Sequence, residues 1–318
     1  MARMVATVRV YTGPAIAGYG FPEDHPFGPA RHDAFVAEFE RRGLNARVEH
    51  GDPVAAGEDE LLLFHTPEYI RRVRMQCRDG IGFLDHGDTP AFPGCFESGS
   101  AVVGTSLAAA RAILAGETRR AFIPIAGLHH ARRDAAAGFC VFNDCGVVIE
   151  WLLGEGGLQR VAYVDIDAHH GDGVFYAFES DPRVIFADLH EDGRYLYPGT
   201  GAVTETGRDA GEGFKLNVPM PPYADQTVFE KVWPTVLQFV ERHQPEFIIL
   251  QCGADSVVND PLTHMAFPAE VHGRAARDLA ALADRICTGR LLACGGGGYD
   301  LSNIAAAWNN VVDTLAGS

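Results

Sequence analysis

Asp167 and His169 stand two residues apart in the run Asp165-Ile166-Asp167-Ala168-His169-His170-Gly171-Asp172. Alternate side chains on an extended strand end point the same way, so this pair can share one metal ion. Asp255, in Cys252-Gly253-Ala254-Asp255, could supply a third ligand from a neighbouring strand. Two carboxylate oxygens and one imidazole nitrogen suit Zn²⁺ with a position left open for water, and they also suit Mn²⁺ or Fe²⁺. A lone Asp-x-Asp carries little information. The whole run, placed directly after an apolar strand, is a specific metal signal.

Taken alone, His129-His130 reads as a surface pair, or as one core histidine beside an exposed one. Asp165 and Asp172 change that reading, because both are left over once the metal ligands are assigned. Two histidines and two aspartates could form two His–Asp pairs, each carboxylate fixing a tautomer and raising the basicity of its imidazole. Hydrolysis at a metal needs a base for water and an acid for the leaving amine, which is the work such dyads do. Tyr299 follows four consecutive glycines, Gly295 to Gly298. A phosphate cradle would need a Lys-Ser/Thr opening the following helix, and the sequence lacks one. Glycines instead let backbone pass close to a ligand, with the Tyr299 hydroxyl projecting over it to stabilise the oxyanion of a tetrahedral intermediate.

These residues need a scaffold. Short apolar runs at 4–10, 121–125, 161–166, 184–187, 247–251 and 290–293 are rich in Ile, Val and Phe, as strands covered on both faces should be. Helical patterns lie between them. Residues 98–115 are so full of Ala and Val that more than one side must be buried. Residues 226–243 and 269–286 are amphipathic, with Pro268 placed as a first-turn proline. The alternation predicts an α/β fold with a mostly parallel sheet and helices on both faces, in one domain spanning 1–318.

Ligands of such sheets bind outside the carboxyl ends of the strands. Four of the runs lead straight into polar clusters: His129-His130, the Asp167/His169 string, Asp255, and the glycines before Tyr299. A shared sheet would bring all four onto one rim, which packing alone does not explain. Two Gly- and Pro-punctuated stretches, 12–31 and 192–213, break the alternation. Their aromatics (Tyr19, Phe21, Phe27, Tyr195 and Tyr197) favour the rim of a pocket.

A formal charge of −16 argues against a nucleic-acid surface, because neutralising phosphates takes clustered Lys and Arg. Acidity mildly favours cationic substrates through long-range steering. No apolar run approaches the roughly 20 residues that span a bilayer. The N-terminal stretch is too short and too polar for a signal peptide, so a cytoplasmic location is expected. The seven cysteines are odd in number and scattered, and Cys252 and Cys294 lie in apolar runs. Reduced thiols in a reducing compartment are the expectation.

The strings GLHHARRDAAAGFCVFND, YVDIDAHHGDGV, YPGTG, QCGADS and GGGGYD occur in this order. Over about residues 20–310 the chain resembles the histone deacetylase family, which includes bacterial acetoin-utilisation proteins and acetylpolyamine amidohydrolases. The resemblance implies the arginase/deacetylase fold, an α/β domain around a parallel sheet of about eight strands. It implies one Zn²⁺ on Asp167, His169 and Asp255. His130, paired with Asp172, would be the general base and acid, and His129, paired with Asp165, would assist electrostatically. Tyr299 would polarise the scissile carbonyl. Gly138, Phe139 and Tyr197 match positions lining an acyl-lysine tunnel, Asp88 matches a rim aspartate that holds the substrate backbone, and Arg31 matches a buried arginine near the acetate exit.

The resemblance further implies a structural K⁺ held by Asp165, the main-chain oxygens of Asp167 and His169, and a Ser-Leu pair that here reads Asp188-Leu189. The Ser-to-Asp departure adds a negative charge beside that ion. A second alkali-metal site would use Phe178, Asp181, Val184 and Phe214, largely through carbonyls. The expected activity is hydrolysis of acyl-lysine in proteins or peptides. Polyamine-selective members tend to carry an acidic gatekeeper at the mouth, where this chain has the apolar Leu262. Acetylated polyamines stay open through Asp88 and the acidic surface. A catalytically silent binding module and a dinuclear arginase-like hydrolase are the other readings, and a homo-oligomer is possible under any of them.

Overall fold

The computed structural model describes residues 8–22 and 25–317. Among these, eight strands form one sheet: β1 (Val8–Tyr11), β2 (Glu49–Gly51), β3 (Arg120–Ile123), β4 (Val161–Asp165), β5 (Val184–Glu191), β6 (Lys215–Met220), β7 (Phe247–Gln251) and β8 (Leu291–Cys294). Their spatial order is β2-β1-β3-β8-β7-β4-β5-β6, and every pairing is parallel. This is the α/β architecture expected from the alternation.

β3, β4, β7 and β8 are buried along their whole length. Continuous Ile, Val, Leu and Phe runs suit strands with helices on both faces. Helix Cys95–Leu114 buries 15 of its 20 residues, so it is core on most sides, as its Ala/Val content predicts. It packs on helix Asp144–Leu153, while helix Leu301–Gly317 packs on Ala30–Arg41 and Glu270–Ile286. Helix Gln226–His243 has the predicted bounds. Pro268 falls outside the first turn where it was expected: Ala269 is the N-cap and the helix begins at Glu270.

Two features of the sheet place the chemistry. β3, β8, β7 and β4 are consecutive neighbours at its centre, and these are the strands that lead into the four polar clusters. Their ends are also level, because Ile123, Cys294, Gln251, Asp165 and Asp188 form one row of register partners. The loops that follow therefore start side by side.

Some elements escaped the pattern reading. β2 is three residues, Glu-His-Gly, at the sheet edge and has no apolar signal. β6 turns Lys215 and Asn217 inward and leaves Leu216 and Val218 half-buried, the reverse of ordinary polarity. β5 runs past Ala187 to Glu191 because Asp188, His190 and Glu191 are buried with partners. Residues 4–7 of the first predicted strand lie outside the described residues. Stretch 12–31 buries Tyr19, Phe21 and Phe27, whereas Tyr195 and Tyr197 of stretch 192–213 are exposed. All seven cysteines are buried and unpaired. No helix among the described residues is long and apolar enough to cross a membrane.

Candidate active site

Asp165 ends β4 and caps the turn that follows, its Oδ1 accepting the Asp167 N–H at 3.0 Å. The turn presents Asp167 and His169 beside Asp255, which follows β7; all three are buried, and one ligand atom from each lies within 4.8 Å of the others. The outer carboxylate oxygens are already engaged. Asp167 Oδ2 accepts from Gln251 Nε2 and Gly297 N, both at 2.8 Å, and Asp255 Oδ1 accepts from Ala168 N at 3.0 Å. The inner oxygens, Asp167 Oδ1 and Asp255 Oδ2, converge on His169 Nδ1 at 3.2 and 3.0 Å.

Two buried carboxylates this close repel, and burial together with Asp167 pushes Asp255 up to about 7. Burial alone would lower His169, but its hydrogen bonds to Asp167 and Asp255 raise it to about 10. Such a cluster calls for a cation, and its donor set fits Zn²⁺. Glycine is required around it: a Cβ on Gly253 would strike Asp167, and one on Gly297 would strike Asp255.

Beyond β3, His129 Nδ1 lies 2.8 Å from Asp165 Oδ2 and His130 Nδ1 lies 2.7 Å from Asp172 Oδ1. Each Nδ1 faces a carboxylate, which assigns a proton to Nδ1 and turns Nε2 toward the neighbouring ring. The two Nε2 atoms are 3.1 Å apart. Burial, then the neighbouring His129, hold His130 down at about 4 in spite of Asp172, so its ring is neutral near pH 7. Burial would raise Asp172, but the hydrogen bond with His130 keeps it low. Burial, then Asp188 and Asp167, raise Asp165 well above the usual carboxylate range.

Tyr299 donates its main-chain N–H to Asp260 Oδ2 at 2.8 Å, and its ring meets Phe139 edge-on at 5.9 Å. Burial, then Asp255 and Asp167, raise its hydroxyl well above 10, so it stays a hydrogen-bond donor. His130, His169 and Tyr299 line a cavity of about 220 Å³ together with Gly138, Phe139, Tyr197, Leu262 and Asp88. Leu196, which no motif singles out, joins them. A smaller space of about 10 Å³ continues inward past Gly127, Cys140 and Gly296. Arg31 is not among the residues lining that space. It braces the glycine loop beside that space, donating Nε–H to Gly298 O at 2.8 Å and Nη2–H to Gly296 O, with its guanidinium 3.8 Å from the Phe27 ring centre. A larger cleft of about 330 Å³, lined by Gln226, Arg274 and Asp313 among others, contains none of the clustered polar residues.

The sequence matches the histone deacetylase domain over residues 25–315. The chain belongs to the histone deacetylase family. It is 36% identical over 317 residues to the acetoin utilization protein AcuC of Bacillus subtilis (strain 168), covering 96% of this chain and 81% of that protein. It is 35% identical over 303 residues to a probable deacetylase of Archaeoglobus fulgidus, covering 93% and 83%. Among solved structures, the crystal structure of the HDA15 HD domain superposes with a TM-score of 0.92 at 27% identity, covering 99% of this chain and 89% of that one. The fold is the α/β deacetylase fold of this family.

The residues expected to hold two alkali-metal ions have partners within the protein. Asp188 Oδ2 accepts the Gly171 N–H at 2.8 Å, and Asp188 Oδ1 lies 2.7 Å from His190 Nδ1. The other ring nitrogen of His190 faces Gly201 O at 2.9 Å, so both nitrogens meet acceptors, as a doubly protonated ring requires. Burial would lower His190, but Asp188 raises it. Both carboxylate oxygens of Asp188 thus have partners inside the protein. Leu189, next to it, is wholly buried. At the second position, buried Lys215 places Nζ 3.0 Å from Asp181 O and 2.8 Å from Val184 O. The other two carbonyls accept backbone N–H groups, Phe178 O from Asp181 and Phe214 O from Phe186.

Several supporting residues went unrecognised. Asp144 accepts from Gly127 N (3.1 Å), Leu128 N (2.8 Å) and Ser106 Oγ (2.7 Å), and Asn143 Nδ2 donates to Ala131 O at 2.9 Å. Together they hold the backbone on either side of His129-His130. Tyr163 donates to Asp165 Oδ2 at 2.6 Å. Asp260 accepts from Leu262 N at 3.0 Å as well as from Tyr299 N. Asn143 was the legible one, since an Asn before an apolar helical run is an N-cap signal, and it does cap helix Asp144–Leu153.

Proposed function

We propose that this protein is a zinc-dependent amidohydrolase that removes an acetyl group from the side-chain amine of lysine in proteins or peptides. The observation that carries the reading is the meeting of the Asp167/His169/Asp255 cluster, the His130–Asp172 pair and Tyr299 at one cavity. Asp167, His169 and Asp255 would hold the ion, with one Zn²⁺ per chain. Bound there, zinc supplies a Lewis acid for the amide carbonyl and a means of ionising water at neutral pH.

This chain's own residues supply the rest. The Tyr299 hydroxyl donates to the carbonyl oxygen and strengthens that bond as negative charge develops. Neutral His130 accepts a proton at Nε2, and Asp172 at Nδ1 steadies the resulting imidazolium. The same proton then goes to the departing amine. His129, held by Asp165, keeps the adjoining ring in place. Phe139 and Tyr197 flank the alkyl chain of the substrate, and Asp88 stands where a peptide N–H can reach it. Asp165, the main-chain oxygens of Asp167 and His169, and Asp188-Leu189 would hold a structural K⁺ on this reading.

Acetylated polyamines are the second reading, favoured by the Asp88 carboxylate at the cavity, but Leu262 offers no counter-charge for a distal ammonium. The test is a parallel assay of zinc-loaded and chelator-stripped protein on an acetyl-lysine peptide, acetylputrescine and acetylspermidine. Zinc-dependent turnover favouring the peptide supports the proposal. Preference for the polyamines replaces it with the second reading, and zinc binding without turnover of either points to a longer acyl chain or a silent binding module.

A further inference from the structure

Phe139 stands in the wall of the cavity in an unfavourable conformation. Ala137 and Cys140 exchange backbone hydrogen bonds of 3.2 and 2.8 Å across a tight turn whose corner residues are Gly138 and Phe139. Their φ angles are 53° and 67°, in the left-handed region. Glycine adopts that region freely, whereas a bulky side chain remains there only where its surroundings hold it. Side chains from two distant segments do so.

The Phe139 carbonyl accepts from the Tyr19 hydroxyl at 2.7 Å, and the same oxygen of Tyr19 accepts the Val141 N–H at 2.9 Å. The Phe139 N–H donates to Thr89 Oγ1 at 3.2 Å. Thr89 is wholly buried, and its hydroxyl has one proton, which goes to Asp85 Oδ2 at 2.5 Å. Asp85 therefore sets the hydroxyl direction and leaves a lone pair facing Phe139. The other carboxylate oxygen of Asp85 accepts the N–H groups of Gly87, Asp88 and Thr89 at 3.0, 2.9 and 2.9 Å, shaping the loop that carries Asp88. His25 closes the unit. Its Nδ1 accepts the Phe27 N–H at 3.0 Å, so Nε2–H donates to Asp88 O at 3.0 Å, and its ring packs edge-on to Phe139 at 4.7 Å.

We infer that Asp85, acting through the Thr89 hydroxyl, is a positioning residue of the substrate cavity that fixes the rim at Asp88 and the wall at Phe139 as one unit. The inference rests on the acyl-lysine reading of that cavity and deepens it. A substrate that spans both, with an alkyl chain along Phe139 and a backbone at Asp88, profits from their fixed spacing. Neither Asp85 nor Thr89 reaches the proton-carrying atoms, so their effect falls on capture of substrate and not on its conversion.

The test uses the full zinc-loaded chain with Thr89→Val, which keeps the shape and removes the hydroxyl, Thr89→Ser, which keeps the hydroxyl, and Asp85→Ala. Amide hydrogen exchange over residues 136–142 is measured beside kcat and KM on an acetyl-lysine peptide. Thr89→Val and Asp85→Ala are expected to speed exchange at Phe139 by about tenfold or more, because a native protecting bond is lost. They should raise KM about tenfold with kcat within about twofold, while Thr89→Ser stays near wild type. Wild-type exchange at Phe139 in Thr89→Val, or Thr89→Ser as impaired as Thr89→Val, overturns the inference. A wild-type protein that ignores the peptide overturns the acyl-lysine reading instead, and the exchange measurement still decides the role of Asp85 and Thr89.

Discussion

Tyr299→Phe removes one oxygen and leaves what positions the ring. The main-chain N–H stays on Asp260, the edge contact with Phe139 stays at 5.9 Å, and Phe27 remains 6.4 Å away. Folding stability should therefore change by no more than about 0.5 kcal/mol. On the proposed mechanism the hydroxyl acts on a carbonyl oxygen that is neutral in the bound amide and carries charge near the transition state, inside a buried site where a donor to an oxyanion counts for far more than in water. Losing one such donor raises the barrier by about 2.7–4 kcal/mol, which lowers kcat by about 10²–10³. KM should barely move, since the ground-state interaction is weak. Burial, Asp255 and Asp167 keep the hydroxyl protonated well beyond pH 10, so the deficit should be the same at pH 6 and pH 9. The assay is steady-state turnover of an acetyl-lysine peptide, with a melting curve to confirm folding. Retention of more than about a third of wild-type kcat, against the 10²-fold loss expected of an oxyanion donor, would refute the assignment.

Asp172→Asn keeps an acceptor for His130 Nδ1 but removes the charge that steadies its imidazolium, so kcat should fall about 10²-fold or more in the same assay; unchanged kcat would show that His130 is not the proton carrier. Zinc added to chelator-stripped protein at 100 times its dissociation constant should stabilise the fold by about 2.7 kcal/mol, read as a rise in Tm by calorimetry. Asp167→Asn and Asp255→Asn should each abolish most of that rise. Lys215 gives a pH signature. Burial lowers its ammonium from 10.5 to about 8 in the folded chain. Below pH 8 it is charged in both states, and between about 8 and 10.5 only the unfolded chain keeps the proton, so stability rises with pH across that window and is lost as pH falls through 8. Denaturant titrations of wild type and Lys215→Met should diverge in favour of wild type by about 3 kcal/mol from pH 8 to 10.5, and a pH-independent difference would contradict it.

Much of the site can be read from the chain because its chemistry is local. Asp167 and His169 share a direction through strand periodicity alone, and the apolar run before them announces the strand end that carries them. The same holds for His129-His130 after β3 and for the glycines before Tyr299, so the parallel sheet and the convergence of four clusters are legible without coordinates. Sequence order could not decide which strands are neighbours. That β3, β8, β7 and β4 lie side by side, with Ile123, Cys294, Gln251 and Asp165 in one row, is set by how helices pack over the whole sheet. Polar residues that face inward were equally hidden. Lys215 and Asn217 on β6, and His190 on β5, carry no local signal of burial, and their partners lie far along the chain. Thr89 and Asp85 are ordinary loop residues in the sequence, and only their arrival beside a left-handed Phe139, 50 residues on from Thr89, gives them work. Periodicity and motif spacing are short-range properties of a chain, whereas the satisfaction of buried donors and acceptors depends on partners that folding alone brings together.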